Sequence, residues 1–380
     1  MQCLVAAVRP LEVKELAEVL AFDFNAEGIP KLNVGWRWED QEEAVMSACS
    51  SLVMIVKNGE SRVVQFSHFS VKEFLTANRL AEPIKDVSRY YIGLEAAHTI
   101  LVRACLGVLL RLDDRIDRDE IKNFPLARYA AQYWATHARF ENASSRIKDG
   151  MECLFDADRP HFATWLWIYN EDRGSSMSTM RPEEPEATPL YYAAMLGLRD
   201  LVNHLIAENP KYVNGRGGRQ VTPMHVAAEA GYGDILLSLL GHGVDVDGRG
   251  VNGQTPLHRA SWEGKFEAGQ CLLDHGADTN ATDEDGWTPL FPAAQEGHVE
   301  FARMLLKCGA VIDVRDDDGD TPLHQSIKMG KIQIVRLLLE HGADVSTCDG
   351  SGETPSQLGS SHGHHEIVEL LSKYGVQSVK

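Results

Sequence analysis

Six Thr-Pro dipeptides divide the second half of the chain, at Thr188, Thr222, Thr255, Thr288, Thr321 and Thr354, spaced by 34, 33, 33, 33 and 33 residues. No other feature constrains the fold as much, because self-similarity at such a period marks a unit that buries its apolar face only by stacking on copies of itself. Each residue of the punctuation has a mechanical role. Thr suits a helix N-cap, where its hydroxyl accepts from a backbone N–H and is worth about 1 kcal/mol. Pro at the first helical position needs no N–H and presets φ. Nine residues after each Thr stands a Gly, at 197, 231, 264, 297, 330 and 363, placed to break the first helix. A second helix follows with apolar residues at i, i+3 and i+4, as in Ile332, Val335, Leu338 and Leu339. Gly-Ala-Asp at 276–278 and 342–344 ends that helix with Gly at C′. Asp-Gly pairs at 285–286, 318–319 and 349–350 are expected to form the tips of strand-turn hairpins.

These residues are those of the ankyrin repeat, which residues 186–380 resemble throughout. Six repeats are expected, closed by residues 366–380. The last repeat carries Ser356 and Gln357 in place of Leu-His, as suits a terminal unit facing water. The resemblance implies that tips and first helices line a concave face. Its exposed positions read as Arg219, Val251, Asn252, Trp262, Glu263, Glu284, Asp285, Trp287, Gln295, Asp317, Asp318, Asp320, Lys328 and Met329. The tips change sign along the stack, with Arg216, Arg219 and Arg249 early and Asp283–Asp285 and Asp316–Asp318 late. That gradient suits a protein partner with a basic patch, or else a solvated edge that keeps the stack soluble. Trp262 and Trp287 are the expected anchors, since aromatic residues dominate hot spots; the alternative is that both cap a repeat interface. His225, His258 and His324 recur at Thr-Pro-x-His, where an imidazole ties adjacent repeats by hydrogen bonds.

Charge supports a protein partner. The formal net charge is -18 over 380 residues. Residues 1–185 hold 22 Lys/Arg against 28 Asp/Glu, and residues 186–380 hold 15 against 27. So acidic a repeat half repels nucleic acid and anionic lipid at long range. No apolar stretch approaches the roughly 18 residues of a bilayer span, and no membrane association is expected. Seven scattered cysteines, never as C-x-x-C, argue against a disulfide framework or zinc cluster and for a reducing, cytoplasmic setting. The opening residues lack the basic flank of a secretory signal and read as the end of a helix.

The first half reads as helix (Leu11–Phe22), helix (Glu42–Cys49), β-hairpin, helix. The hairpin is two β-rich runs around Asn58-Gly59; Ser70 is a candidate N-cap for the helix running to Leu75. This is a winged-helix order. Amphipathic helices follow at Leu94–Leu112 and Phe124–Phe140, then aromatic-rich helical segments over Met151–Tyr169, and a linker rich in Ser, Pro and Glu. The run Val64-Gln-Phe-Ser-His-Phe-Ser-Val-Lys-Glu-Phe-Leu, with Arg9-Pro-Leu, Cys49-Ser-Ser-Leu-Val, Tyr129-Ala-Ala-Gln-Tyr-Trp and Pro160-His-Phe-Ala-Thr-Trp-Leu, resembles the part of fungal NACHT–ankyrin proteins that follows the nucleotidase. Those proteins are NLR-like STAND ATPases proposed as self/non-self or stress receptors. The resemblance covers most of residues 1–172 and implies a winged helix at 1–91, a helical linker domain at 92–172, a linker at 173–185 and ankyrin repeats at 186–380. It also implies that His68, six residues before Phe74-Leu75, matches a histidine that contacts nucleotide phosphates. A packed histidine between hairpin and helix is the other reading.

The sequence holds no G-x-x-x-x-G-K-[ST] loop and no Walker-B acid to go with it. No cofactor is therefore expected, and His68 stands as a vestigial sensor at most. Either this is a shortened member or a fragment, or its nucleotidase lies on another chain. Gly359-Ser-Ser-His-Gly spells the nucleophile-elbow pattern but ends a first helix, without the strand an elbow needs. His362, His364 and His365 occupy the Gly-His turn of a repeat rather than a metal site. Asp316-Asp-Asp-Gly lacks the acid that an EF-hand loop would need at Val314, and two Asn-x-Ser/Thr sequons have no secretory context. No catalytic set remains. The expected fold is mainly α, a winged helix plus helical module followed by an ankyrin-repeat solenoid. The expected function is non-catalytic protein binding, the sensor or scaffold half of a STAND-type receptor. The alternative is a nucleotide-regulated switch whose ATPase domain is missing from this chain. A DNA-binding winged helix is disfavoured, as residues 1–91 show no dense basic stripe.

Overall fold

A computed structural model describes residues 1–25, 28–37, 39–49, 52–67, 69–76, 92–140, 147–171, 187–217 and 221–375. They fall into two compact units, Met1–Pro185 and Glu186–Lys380.

The first unit opens with helix Gln2–Ala6 and continues with helix Val13–Leu20. The expected start at Leu11 shifts because Leu11 and Glu12 join the hairpin instead. The Leu11 carbonyl accepts from Val64 N at 2.8 Å, and Glu12 bridges Val63 in antiparallel sense. Helix Gln41–Cys49 follows, capped by Asp40, whose carboxylate accepts the N–H groups of Glu42 and Glu43 at 3.0 Å each. The hairpin pairs Val53–Asn58 with Ser61–Phe66, Val53 opposite Phe66 and Asn58 opposite Ser61. Gly59 turns it at φ 62°, a conformation that suits the Asn-Gly turn. The next helix spans Phe69–Thr76, so it begins before Ser70. One short antiparallel pair, Phe22–Asp23 with Lys31–Leu32, was not foreseen. Leu11, Leu16, Val19, Val45, Val63 and Val64 are buried where these elements meet.

The helical module comprises Leu94–Leu109, Arg118–Ile121, Ala127–Ala138, Lys148–Phe155 and Pro160–Glu171. Its centre is an aromatic cluster in which the Trp165 ring lies 6.0 Å from Trp134, 5.4 Å from Phe155 and 5.8 Å from Phe162. The Trp165 indole donates to the Ala131 carbonyl at 3.0 Å. Two buried carboxylates pin this module to the winged helix. Glu15 holds Arg9 through two bonds of 2.9 and 2.6 Å, and that guanidinium lies 5.0 Å from the Tyr129 ring centre. Glu18 accepts the Leu126 N–H at 2.7 Å and pairs with Arg37 at 2.6 Å. Burial pushes the Glu18 carboxyl up, opposed by those donors. His68 lies outside the described residues.

The second unit is the stack. First helices run Pro189–Met195, Pro223–Ala230, Pro256–Trp262, Leu290–Glu296, Pro322–Lys328 and Pro355–Ser361. Second helices run Arg199–Glu208, Gly233–Leu240, Phe266–Asp274, Val299–Lys307, Ile332–Glu340 and His365–Gly375. Each glycine nine residues past its Thr has positive φ, from 61° at Gly264 to 90° at Gly297, where a side chain would be strained. Ala260, Ala293 and Ala294 of the first helices and Ile334, Val335 and Leu338 of a second are all fully buried, so the core runs along the stack. Two expectations at the tips need correction. The turns contain no strands among the described residues; those of Asp283, Asp316 and Asp349 close on the carboxylate of their first acid. In the last turn the left-handed glycine is Gly352 rather than Gly350, since the working pattern is Asp-x-x-Gly. No described helix is long and apolar enough to cross a membrane.

Candidate interaction surface

The face begins with its caps. Thr188, Thr321 and Thr354 accept the N–H three residues on, at 3.3, 3.5 and 3.4 Å, and Thr222 and Thr255 form capping boxes with His225 and His258. In three repeats the histidine returns the bond. Nδ1 of His225, His258 and His324 accepts the backbone N–H of Thr222, Thr255 and Thr321 at 3.4, 3.1 and 3.0 Å. That leaves the proton on Nε2, which donates to a carbonyl beyond the repeat: Gln254 at 2.9 Å, Trp287 at 2.9 Å and Thr347 at 3.1 Å. Burial lowers the pKa of all three, His225 to about 4, so all are neutral rods between repeats.

Thr288 departs from the expected role. Phe291 stands where the histidine would be, the helix starts at Leu290 with Pro289 half in, and the buried Thr288 hydroxyl has no partner among the described residues.

The tip carboxylates divide in two. The first acid of each turn points inward. Asp283 Oδ1 accepts the N–H groups of Asp285 and Trp287 at 3.1 and 2.9 Å. Asp316 accepts from Asp320 N at 2.7 Å, and Asp349 from Ser351 and Glu353 at 2.9 and 2.8 Å. Glu284, Asp285, Asp317 and Asp318 are exposed and make no ion pair among the described residues. The turns are chained to one another: Glu284 N donates to Asn252 O at 2.8 Å and Asp317 N to Asp285 O at 3.1 Å.

The expected sign gradient is weaker than the letters suggest. Arg249 Nη1 donates to the Gly253 and Thr282 carbonyls at 3.0 and 2.5 Å. Arg315, at the matching place in the acidic turn, does the same with Gly319 and Cys348 at 2.8 Å each. Both are staples between turns, and only their period of two repeats could have revealed them. Arg219 lies outside the described residues.

The residue before Thr-Pro reaches the inward acid of the next turn. Gln254 approaches Asp283 at 3.5 Å, and the Trp287 indole donates to Asp316 at 3.0 Å. Asp320 cannot do so, because Asp349 has the same charge. It turns instead to Lys328 and is 4% exposed, so the expectation that Asp320 lies open is corrected and Lys328 is engaged. Trp262 and Trp287 meet, their rings 5.8 Å apart at 23°, and Trp287 stacks in turn on Phe291 at 5.4 Å. Both indoles are half-buried, and the Trp262 carbonyl takes a bond from His298 at 2.9 Å. Met329 is 48% exposed.

Comparison with known proteins bears on the repeats and on the first unit. The family described as ankyrin repeats (3 copies) matches residues 158–249, 239–316 and 308–379, more than half the chain. The GPI inositol-deacylase winged helix domain matches residues 1–84. Azaphilone pigments biosynthesis cluster protein L of Monascus ruber is 30% identical over 258 residues, 63% of this chain and 54% of that protein; the chain spans about half that relative's length. Alpha-latrocrustotoxin-Lt1a of Latrodectus tredecimguttatus is 39% identical over 59 residues, 16% of this chain and 4% of the toxin. The chain therefore belongs to the ankyrin-repeat family, and it carries a winged helix domain of the GPI inositol-deacylase type ahead of its repeats.

Proposed function

We propose that this chain is a non-catalytic interaction protein, the sensor or scaffold half of a STAND-type receptor, and that it binds a protein partner bearing a basic patch. The contact lies on the first helices and turns of the third to fifth repeats, the repeats of Thr255, Thr288 and Thr321. One observation carries the reading. Four exposed carboxylates, Glu284, Asp285, Asp317 and Asp318, make no ion pair among the described residues and stand beside a half-buried indole stack. Such charge steers a partner of opposite sign, and aromatic area anchors it. The order of winged helix, helical module and repeats supports the receptor reading, as does the resemblance around residues 64–75. The winged helix favours a protein over a nucleic acid: helix Gln41–Cys49 opens on Glu42 and Glu43, and phosphate is repelled there. A cytoplasmic setting accords with seven cysteines free of disulfides.

Proximity labelling with the full chain identifies the partner, and charge reversal tests the face. Asp317→Lys with Asp318→Lys should cut labelling of the partner at least tenfold. Glu267→Lys, exposed on a second helix, should leave it unchanged. Equal loss, or no loss, with both variants contradicts the proposal.

A further inference from the structure

We propose that this face takes an extended segment of the partner carrying arginine, with one guanidinium against the half-buried Trp262 indole and further cations along the edge from Glu284 to Asp318; this rests on the interaction reading above. The shape comes from the turns. Because Glu284 is bonded to Asn252 and Asp317 to Asp285, the exposed carboxylates form one continuous edge alongside the first helices, and a linear array suits a linear ligand. The charge follows from what the face lacks. Arg249 and Arg315 are held by carbonyls, Lys328 by Asp320 and Arg259 by Glu229 at 3.7 Å, so these four cations are engaged within the fold.

Arginine is favoured over lysine by the aromatic group. Trp262 is covered on one side by Trp287 and half-buried, and its indole N–H has no partner among the described residues. Exposed Glu263 follows it directly. A planar guanidinium stacks on an indole and forks onto a carboxylate at once, which a compact ammonium cannot do. The free indole N–H is then available to a backbone carbonyl of the same segment.

The test is selection of a 12-residue random peptide display library on the immobilised full chain. The proposal expects selected peptides enriched in arginine over lysine, and each Arg→Lys replacement to raise Kd about tenfold. Trp262→Ala should abolish retention. Asp317→Asn with Asp318→Asn, on an exposed turn, should weaken it as well, so the result stands even where Trp262→Ala disturbs the stack. Peptides that need Trp262 and the turn acids but show no arginine preference overturn this inference and leave the interaction face standing. Peptides indifferent to all three substitutions, or no selected peptides, overturn both.

Discussion

His258 holds the carbonyl oxygen of Trp287, in the next repeat, at 2.9 Å from its Nε2. Its other ring nitrogen accepts from Thr255 N at 3.1 Å, so one neutral imidazole closes a helix cap and joins two repeats. His258→Ala leaves the Thr255 N–H buried and unpaired, a cost of about 1–3 kcal/mol, while the Trp287 carbonyl keeps the Asp283 N–H at 2.9 Å. His258→Gln should cost less, since Gln357 in the last repeat reciprocates its Thr at 2.9 Å. Urea unfolding of the three proteins checks the order.

Acid should loosen the fold through the same residues. Burial lowers the pKa of His225 to about 4 and of His137, in the helical module, to about 3, with His258 and His324 also lowered. A depressed folded pKa means that the unfolded chain binds more protons, so stability is full above about pH 6.5 and is lost as pH falls toward 4. Asp247, Asp313 and Asp316 are raised by burial and act with the opposite sign, stabilising the fold at low pH and losing that contribution as pH rises. Comparison of wild type with His225→Gln isolates the imidazole: the variant's denaturation midpoint should change less between pH 6.5 and 4. Parallel profiles contradict the assignment.

Thr288 and Thr255 share a motif but should respond differently. Thr255→Val removes a working cap and should cost about 1 kcal/mol. Thr288→Val removes a buried hydroxyl that has no partner among the described residues and should be neutral or stabilising. Equal losses in thermal unfolding would show that Thr288 makes a bond of its own.

Residues 1–380 should bind neither ATP nor ADP with Kd below about 10 μM, a free energy near -7 kcal/mol, because the sequence has no phosphate loop. One-site binding in calorimetry tighter than that revives the nucleotide-switch reading and makes His68→Ala the next variant.

How far the sequence reached varied with what decides each feature. The stack was legible because every turn demands its own Thr-Pro and its own left-handed Gly. The tip acids were only half legible: Asp283 and Asp285 carry the same letter, but the turn's N–H groups draw the first inward and leave the second in water. Asp320 was misplaced because its burial depends on a residue one repeat away, where Asp349 refuses the contact that Asp283 and Asp316 give to Gln254 and Trp287. In the first unit, long apolar periods gave the helices, while the pair Phe22–Asp23 with Lys31–Leu32 is too short to carry a period. Leu11 shows the same limit, its place in the hairpin set by Val64 far along the chain.

In the proposed binding mode the acidic turns recruit the partner and Trp262 retains it. Association kinetics with the identified partner test this most directly, measured from low to high salt, where exposed charges are screened over about 8–10 Å near physiological ionic strength. The on-rate should fall with salt and with Asp317→Lys plus Asp318→Lys, and the off-rate should rise with Trp262→Ala. Kinetics indifferent to salt and to all three substitutions would contradict this mode.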